Sequence, residues 1–173
     1  MKNFSLAIAL IMMATVAVAG DETHDGKPGY VDFGELSEAY GEPRVMVNLD
    51  GTLLKLVSAM EHSDPMAEEA LKNLESVRVH VYNTGGDLDV AEAQMSEVKE
   101  SLKGMNWEQI VRARDHEEKV DVYVKSGDDA IQGILVMAVD GEEAVFVNVL
   151  GDINPDEIAS IVDQVNVDVD FDF

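Results

Sequence analysis

Three valine triplets at alternate positions constrain this chain more than any other feature. Val77, Val79 and Val81 alternate with Arg78, His80 and Tyr82. Val120, Val122 and Val124 alternate with Asp121, Tyr123 and Lys125, and Val145, Val147 and Val149 form the third set. Successive side chains of a strand point to opposite faces, so a period of two predicts strands with one apolar face. Val45, Val47 and Leu49 extend the pattern. Trp107 to Arg114 reads as a strand, and Ile131 to Val139, apolar nearly throughout, as an interior one. Asp140-Gly141 is a hairpin signal between Val139 and Val145. The segment from Trp107 to Val149 is therefore expected to form a β-meander. Tyr30-Val31-Asp32-Phe33 reads as a short strand or a docking arm.

Helical spacing separates the strands. Leu53, Leu56, Val57 and Met60 predict a helix over 51–61, and Asp64-Pro65 opens a second one expected to reach Glu75. Leu88, Ala91, Met95, Val98 and Leu102 recur at three- and four-residue steps, with Asp89 and Glu92 resembling a capping box and Gly104 as the stop. Asn154-Pro155 starts a last helix to about Gln164. The expected fold is α+β: a mainly antiparallel sheet of five or six strands with helices packed on one face.

The chain has 173 residues, and its beginning reads as an export signal. Lys2 precedes an apolar run from Phe4 to Val18 that ends in Ala17-Val18-Ala19, the small-x-small pattern of a cleavage site. The run falls short of the roughly 20 residues needed to span a bilayer, so no membrane span is expected. The expected organisation is a signal peptide over 1–19, a flexible leader over 20–29, one domain over 30–165 and an acidic alternating tail over 166–173. Such a protein would be periplasmic or secreted. Cysteine is absent, which excludes disulfides, thiol nucleophiles and the lipidated cysteine of a lipoprotein. The formal net charge is −23. No Lys or Arg follows Lys125. That field repels nucleic acid and anionic headgroups.

No motif calls for a cofactor. Asp152, Asn154 and Asp156 have the spacing of the first half of a calcium loop, but Glu157 stands where the loop needs glycine. A helix start, with Asn154 as cap and Pro155 in the first turn, accounts for the same residues. His24, His62, His80 and His116 form no zinc-binding pair, and no serine sits in a nucleophile elbow. Catalytic residues are therefore not assigned.

One constellation does suggest binding. If the valine triplets face the helices, Arg78, His80, Tyr82, Tyr123 and Lys125 share the opposite, open face, and Arg112 and Arg114 join them. Ile134, Val136, Phe146 and Asn148 would lie beside them. A cationic and aromatic face on an acidic molecule suits a peptide, an acidic glycan, an envelope protein or a second copy. The tail, Val165, Val167, Val169, Phe171 and Phe173 against Asn166, Asp168, Asp170 and Asp172, reads as an edge strand or a disordered acidic end.

Gly29-Tyr30-Val31-Asp32-Phe33, Val77-Arg78-Val79-His80-Val81-Tyr82, Trp107, Val120-Asp121-Val122-Tyr123, Gly133-Ile134-Leu135-Val136-Met137 and Phe146-Val147-Asn148-Val149-Leu150-Gly151-Asp152-Ile153 together resemble the bacterial domain-of-unknown-function 4252 family. The resemblance spans about residues 30–165. It implies an exported bacterial protein without an assigned activity and transfers no site residues. Some members are lipoproteins, and this cysteine-free chain departs from that pattern. The expected function is a non-enzymatic binding or association module of the cell envelope. The alternatives are an exported hydrolase built on scattered carboxylates with His80 or His116, and a calcium-dependent binder.

Overall fold

The computed structural model describes residues 26–33, 36–60, 72–115 and 118–154. The expected signal peptide, the second helix as far as Leu71 and the acidic tail lie outside the described residues, as do His24, His62, His116 and Asp156. In chain order the elements are α1 (Leu36–Tyr40), β1 (Val45–Asp50), α2 (Gly51–Met60), β2 (Leu74–Asn83), α3 (Leu88–Leu102), β3 (Trp107–Arg114), β4 (Glu118–Ser126), β5 (Ile131–Asp140) and β6 (Glu143–Ile153).

The six strands make one sheet in the order β1-β2-β6-β5-β4-β3, with every neighbouring pair antiparallel. This is the expected α+β sheet, and β3 to β6 form the expected meander. Local chemistry sets several boundaries. Asp50 Oδ1 accepts from the backbone N–H groups of Thr52 and Leu53, both at 2.9 Å, and so starts α2. Asp140 Oδ1 accepts from Glu142 N and Glu143 N at 2.7 Å, which closes the β5–β6 hairpin. The cap of α3 is Asp87, whose carboxylate accepts from Val90 N at 3.1 Å, two residues before the expected capping box at Asp89. The helix expected to reach Glu75 gives way earlier, because Leu74 already pairs with Gly151 as the first residue of β2.

Register fixes the two faces of the sheet. Directly opposed residues share a face. Val77, Val79 and Val81 stand opposite Val149, Val147 and Val145, and those in turn stand beside Ile134, Val136 and Ala138. On the other face Arg78, His80 and Tyr82 oppose Asn148, Phe146 and Ala144, followed by Leu135 and Met137 on β5. That second face carries the main core. Tyr82, Phe146, Leu135, Met137, Val139 and Tyr123 pack against Ala91, Met95, Val98 and Leu102 of α3, Leu36 of α1, and Val31 and Phe33. The valines form a separate, smaller cluster.

The expected sidedness is thus inverted. The helices α1 and α3 cover the face of Arg78, His80 and Tyr82, and the valine triplets occupy the other. Side-chain volume explains the choice. The helix side holds Tyr, Phe, Leu and Met, which reach across a layer of about 10 Å, whereas valine fills a shallow layer. Ile134 and Val136 belong with the valines and not beside the arginines, while Phe146 and Asn148 do lie on the arginine face.

Of the two readings of residues 30–33, the structure shows the arm. Val31 N donates to Asn148 Oδ1 at 3.0 Å, and Asn148 Nδ2 donates back to Gly29 O at 2.9 Å. The contacts begin earlier, within the segment read as leader, where Lys27 pairs with Glu75. Gly29, at φ 86°, lies against the backbone of β5: a Cβ there would stand 2.2 Å from Gln132 O, and one on Gly133 would stand 2.6 Å from Gly29 Cα. Two glycines are therefore what let the arm reach the sheet.

Candidate functional site

The seven candidate residues do share one face, but the structure divides them into two groups.

Arg78, His80 and Tyr82 project from β2 beneath the arm. Arg78 Nη1 donates to Val31 O at 2.9 Å, and its guanidinium lies over the rings of Tyr30 and Phe33, at 4.7 and 5.2 Å from their centroids. Cation–π contact and a backbone hydrogen bond thus tie one cation to the arm. His80 is 6% exposed and meets Phe33 edge to face with centroids 5.1 Å apart. Its Nδ1 lies 3.0 Å from the Tyr82 hydroxyl, and its Nε2 is a buried atom with no hydrogen-bond partner. Burial first, and the Arg78 charge second, push the imidazole down to about 4, so it is neutral at pH 7. Tyr82 is fully buried and stacks on Tyr40 at 5.2 Å, and burial raises its hydroxyl. This group anchors Gly29–Phe33. It presents no open surface.

Arg112, Arg114, Tyr123 and Lys125 lie at the other side of the sheet, where β3 forms the outer edge among the described residues. Arg112 and Arg114 are organised by Asp121, which the sequence reading passed over. Asp121 is 0% exposed. Arg114 Nη2 donates to both of its oxygens at 2.7 Å, Gln109 Nε2 donates to Oδ1 at 2.7 Å, and Lys99 from α3 pairs with Oδ2. Arg112 Nε stands 3.6 Å from Oδ1. Burial alone would raise this carboxyl. The hydrogen bonds and charges of Arg114 and Lys99 outweigh it and hold the group below the ordinary aspartate value.

Among the described residues, three cations, Lys99, Arg112 and Arg114, thus gather on this one carboxylate. Arg112 carries most of the accessible excess, since its side chain is 58% exposed. It also hydrogen-bonds Gln109 Oε1 at 2.5 Å. Tyr123 lies beside Arg112 and is buried, and burial together with the Asp121 charge raises its hydroxyl. Lys119 pairs with Glu92 on α3, and Lys125 donates to Met105 O in the turn after that helix. A bulge between Gln109 and Val111 leaves Ile110 52% exposed on the same edge. The arrangement is a cationic rim with a fixed carboxylate at its centre, able to hold an oxyanion at Arg112.

The signal for Asp121 was present in its neighbours: one acid on a face shared with Arg112, Arg114 and Tyr123. Its depth was not, because Lys99 arrives from a helix. The metal candidates do not converge in the described residues. Asp152 is an exposed residue near the end of β6, Asn154 follows the strand, and no group of three His, Asp or Glu side chains among the described residues is arranged to hold an ion. The hydrolase reading loses His80, whose ring is enclosed. The shallow hollow at Gly85–Asp89 is lined by two aspartates and pairs no acid with a base.

The fold and rim define a single-sheet α+β protein with a charged edge and no assembled reaction centre among the described residues. The family model described as "Domain of unknown function (DUF4252)" matches residues 40–161, and the chain belongs to that family. No curated protein matches it. Among solved structures it is similar to the solution structure of cyanobacterial PsbP (CyanoP) from Synechocystis sp. PCC 6803, at 12% identity and a TM-score of 0.30 over 84% of this chain and 92% of that one. A likeness that distant carries no argument about function.

Proposed function

We propose that the chain is a non-enzymatic binding module, exported to the periplasm or cell envelope, that holds an anionic partner on the rim of Arg112, Arg114, Lys99 and Lys125. The supporting observation is the 58% exposure of Arg112, a cation already close to a carboxylate that Arg114 and Lys99 satisfy. On a chain of net charge −23, a local cation excess at an exposed strand edge has no structural use that Arg114 and Lys99 do not already serve. Arg78, His80 and Tyr82 are committed to the arm, so the binding role expected for all seven residues narrows to the β3–β4 edge.

The test is an NMR titration of the exported protein with a hexaglutamate peptide. The expected result is shifts confined to Arg112, Tyr123 and Gln109, reduced at least fivefold by Arg112→Glu and by 0.5 M salt, which cuts the screening length to about 4 Å. Equal shifts with a hexalysine peptide, or none, would overturn the reading. Export has its own measurement: the protein recovered outside the cytoplasm should begin at Gly20.

A further inference from the structure

No described strand pairs with the outer side of β3. One bond fixes the direction of the backbone there. Asp115 N donates to Glu118 O at 2.8 Å, and these two residues continue the register in which Ala113 stands opposite Val120. In an antiparallel pair, opposed residues alternate between those that exchange backbone hydrogen bonds and those that do not. Asp115, Ala113 and Val111 therefore turn their backbone groups toward β4. Arg112 and Arg114 turn theirs outward.

The side chains complete the pattern. Arg112 and Arg114 share the face of Asp121, whereas Val111 and Ala113 stand opposite Val122 and Val120 on the other face. Ala113 is exposed, Val111 is half-buried, and Ile110 is 52% exposed at the bulge beside them. The edge thus presents backbone donors and acceptors at the two arginines, a cationic row on one face and a shallow apolar row on the other. The outer edge at β1 lacks this combination, since its arginine face carries Met46, Asn48 and Asp50.

We propose that the anionic partner of the rim is an extended segment of another protein, added to β3 as one more antiparallel strand, with Asp or Glu at alternate positions and small aliphatic residues between them. This rests on the reading of the rim as an anion-binding surface and names the partner it takes. Opposed residues share a face, so acids opposite Arg112 and Arg114 meet the cations, while aliphatic side chains opposite Val111 and Ala113 continue the valine layer. Every strand pair of the sheet is antiparallel, and the added strand follows that rule. Backbone bonds supply affinity that charge alone lacks on a chain of net charge −23, and the alternation supplies selection. A second copy fits worse. Centred anywhere from 112 to 114, a two-fold pair of β3 strands sets arginine against arginine, and like charges directly opposite repel.

The test titrates the exported protein with two capped pentapeptides of one composition, the alternating Glu-Val-Glu-Val-Glu and the block isomer Glu-Glu-Glu-Val-Val. The alternating peptide should bind about tenfold tighter, and Arg112→Glu should remove that preference. Methylating the amide nitrogen of its central glutamate removes a bond to β3 and should weaken binding about fivefold or more, whereas methylating a valine nitrogen, which points away, should change it less than about twofold. Hydrogen exchange reads the same geometry on the protein: the peptide should slow the Arg112 and Arg114 amides and leave the Ala113 amide unchanged. Equal binding of the two isomers, equal or reversed sensitivity to the two methylations, or Arg112 and Arg114 amides already slow before peptide is added would each overturn the proposal. So would a dimer in sedimentation that Arg112→Glu abolishes and the alternating peptide leaves intact, since the edge would then belong to a second copy. Hexaglutamate has no alternation. If it binds while the isomers do not differ, the rim reading stands and the added strand falls; if hexaglutamate fails to bind, both fall.

Discussion

The two halves of the arginine face begin from the same recipe and end in opposite states. Arg78 and Tyr82 on β2 alternate with valines, as do Arg112 on β3 and Tyr123 on β4 with theirs. At β2 a distant segment, Gly29–Phe33, lies over the strand and consumes the cation through a carbonyl and two rings. At β3 no such arm is seen among the described residues, and the cations turn to a buried carboxylate with charge to spare. Alternation therefore decides which residues share a face. Which part of that face is covered depends on contacts made across more than a hundred positions, such as Val31 with Asn148.

If the β2 half is structural and the β3 half is a surface, the largest stability effects should fall on the arm. Phe33 is 0% exposed and touches His80 and Phe146. Phe33→Ala should cost about 3–5 kcal/mol, the range for a fully buried ring, measured by urea denaturation. A loss under 1 kcal/mol would mean the arm is not part of the core. At the other half, Asp121→Ala removes the acceptor of Arg114, Gln109 and Lys99. The cations left behind are partly hydrated, so the expected loss is smaller, about 2 kcal/mol. The same substitution should strengthen hexaglutamate binding, because it frees positive charge at the rim. Weaker binding would contradict the role given to Asp121.

The sequence carried the sheet, its meander and the grouping of the seven residues, because period-two valines and the Asp140 hairpin are local signals. It did not carry sidedness. Both faces of β5 are apolar, Ile134 and Val136 on one and Leu135 and Met137 on the other, so period alone could not rank them. The sizes of Tyr82, Phe146, Leu135 and Met137 against a run of valines held the answer. Gly29 and Gly133 also pointed to a close backbone approach, but only once they are known to be neighbours. Asp121 escaped notice for the same reason: its burial depends on Lys99 of α3 and Arg114 of β3 meeting over one strand.

A pH scan sharpens the comparison next. The His80 imidazole is held at about 4 in the fold against 6.5 when free. The unfolded chain therefore binds the extra proton first, and stability rises with pH through that interval. The contribution is fully present above about 6.5 and disappears as pH falls toward 4. Between pH 7 and pH 5 the loss should be about 2 kcal/mol. His80→Phe should flatten that segment of the curve. An unchanged slope in the variant would assign the dependence elsewhere.

The smallest effect is expected where the function is proposed. Arg112 is more than half exposed and reaches Asp121 only at 3.6 Å, through Nε. Asp121 keeps Arg114, Gln109 and Lys99 without it. Arg112→Ala should therefore change unfolding free energy by no more than about 0.5 kcal/mol, as for other exposed ion pairs. Arg78→Ala provides the contrast. It strips a hydrogen bond and two ring contacts from the arm and should cost about 1–2 kcal/mol in the same assay. Two arginines on one face would then differ in stability in one direction and in hexaglutamate binding in the other. A stability loss at Arg112 equal to that at Arg78 would make both halves of the face structural and leave the rim no surplus charge to offer a partner.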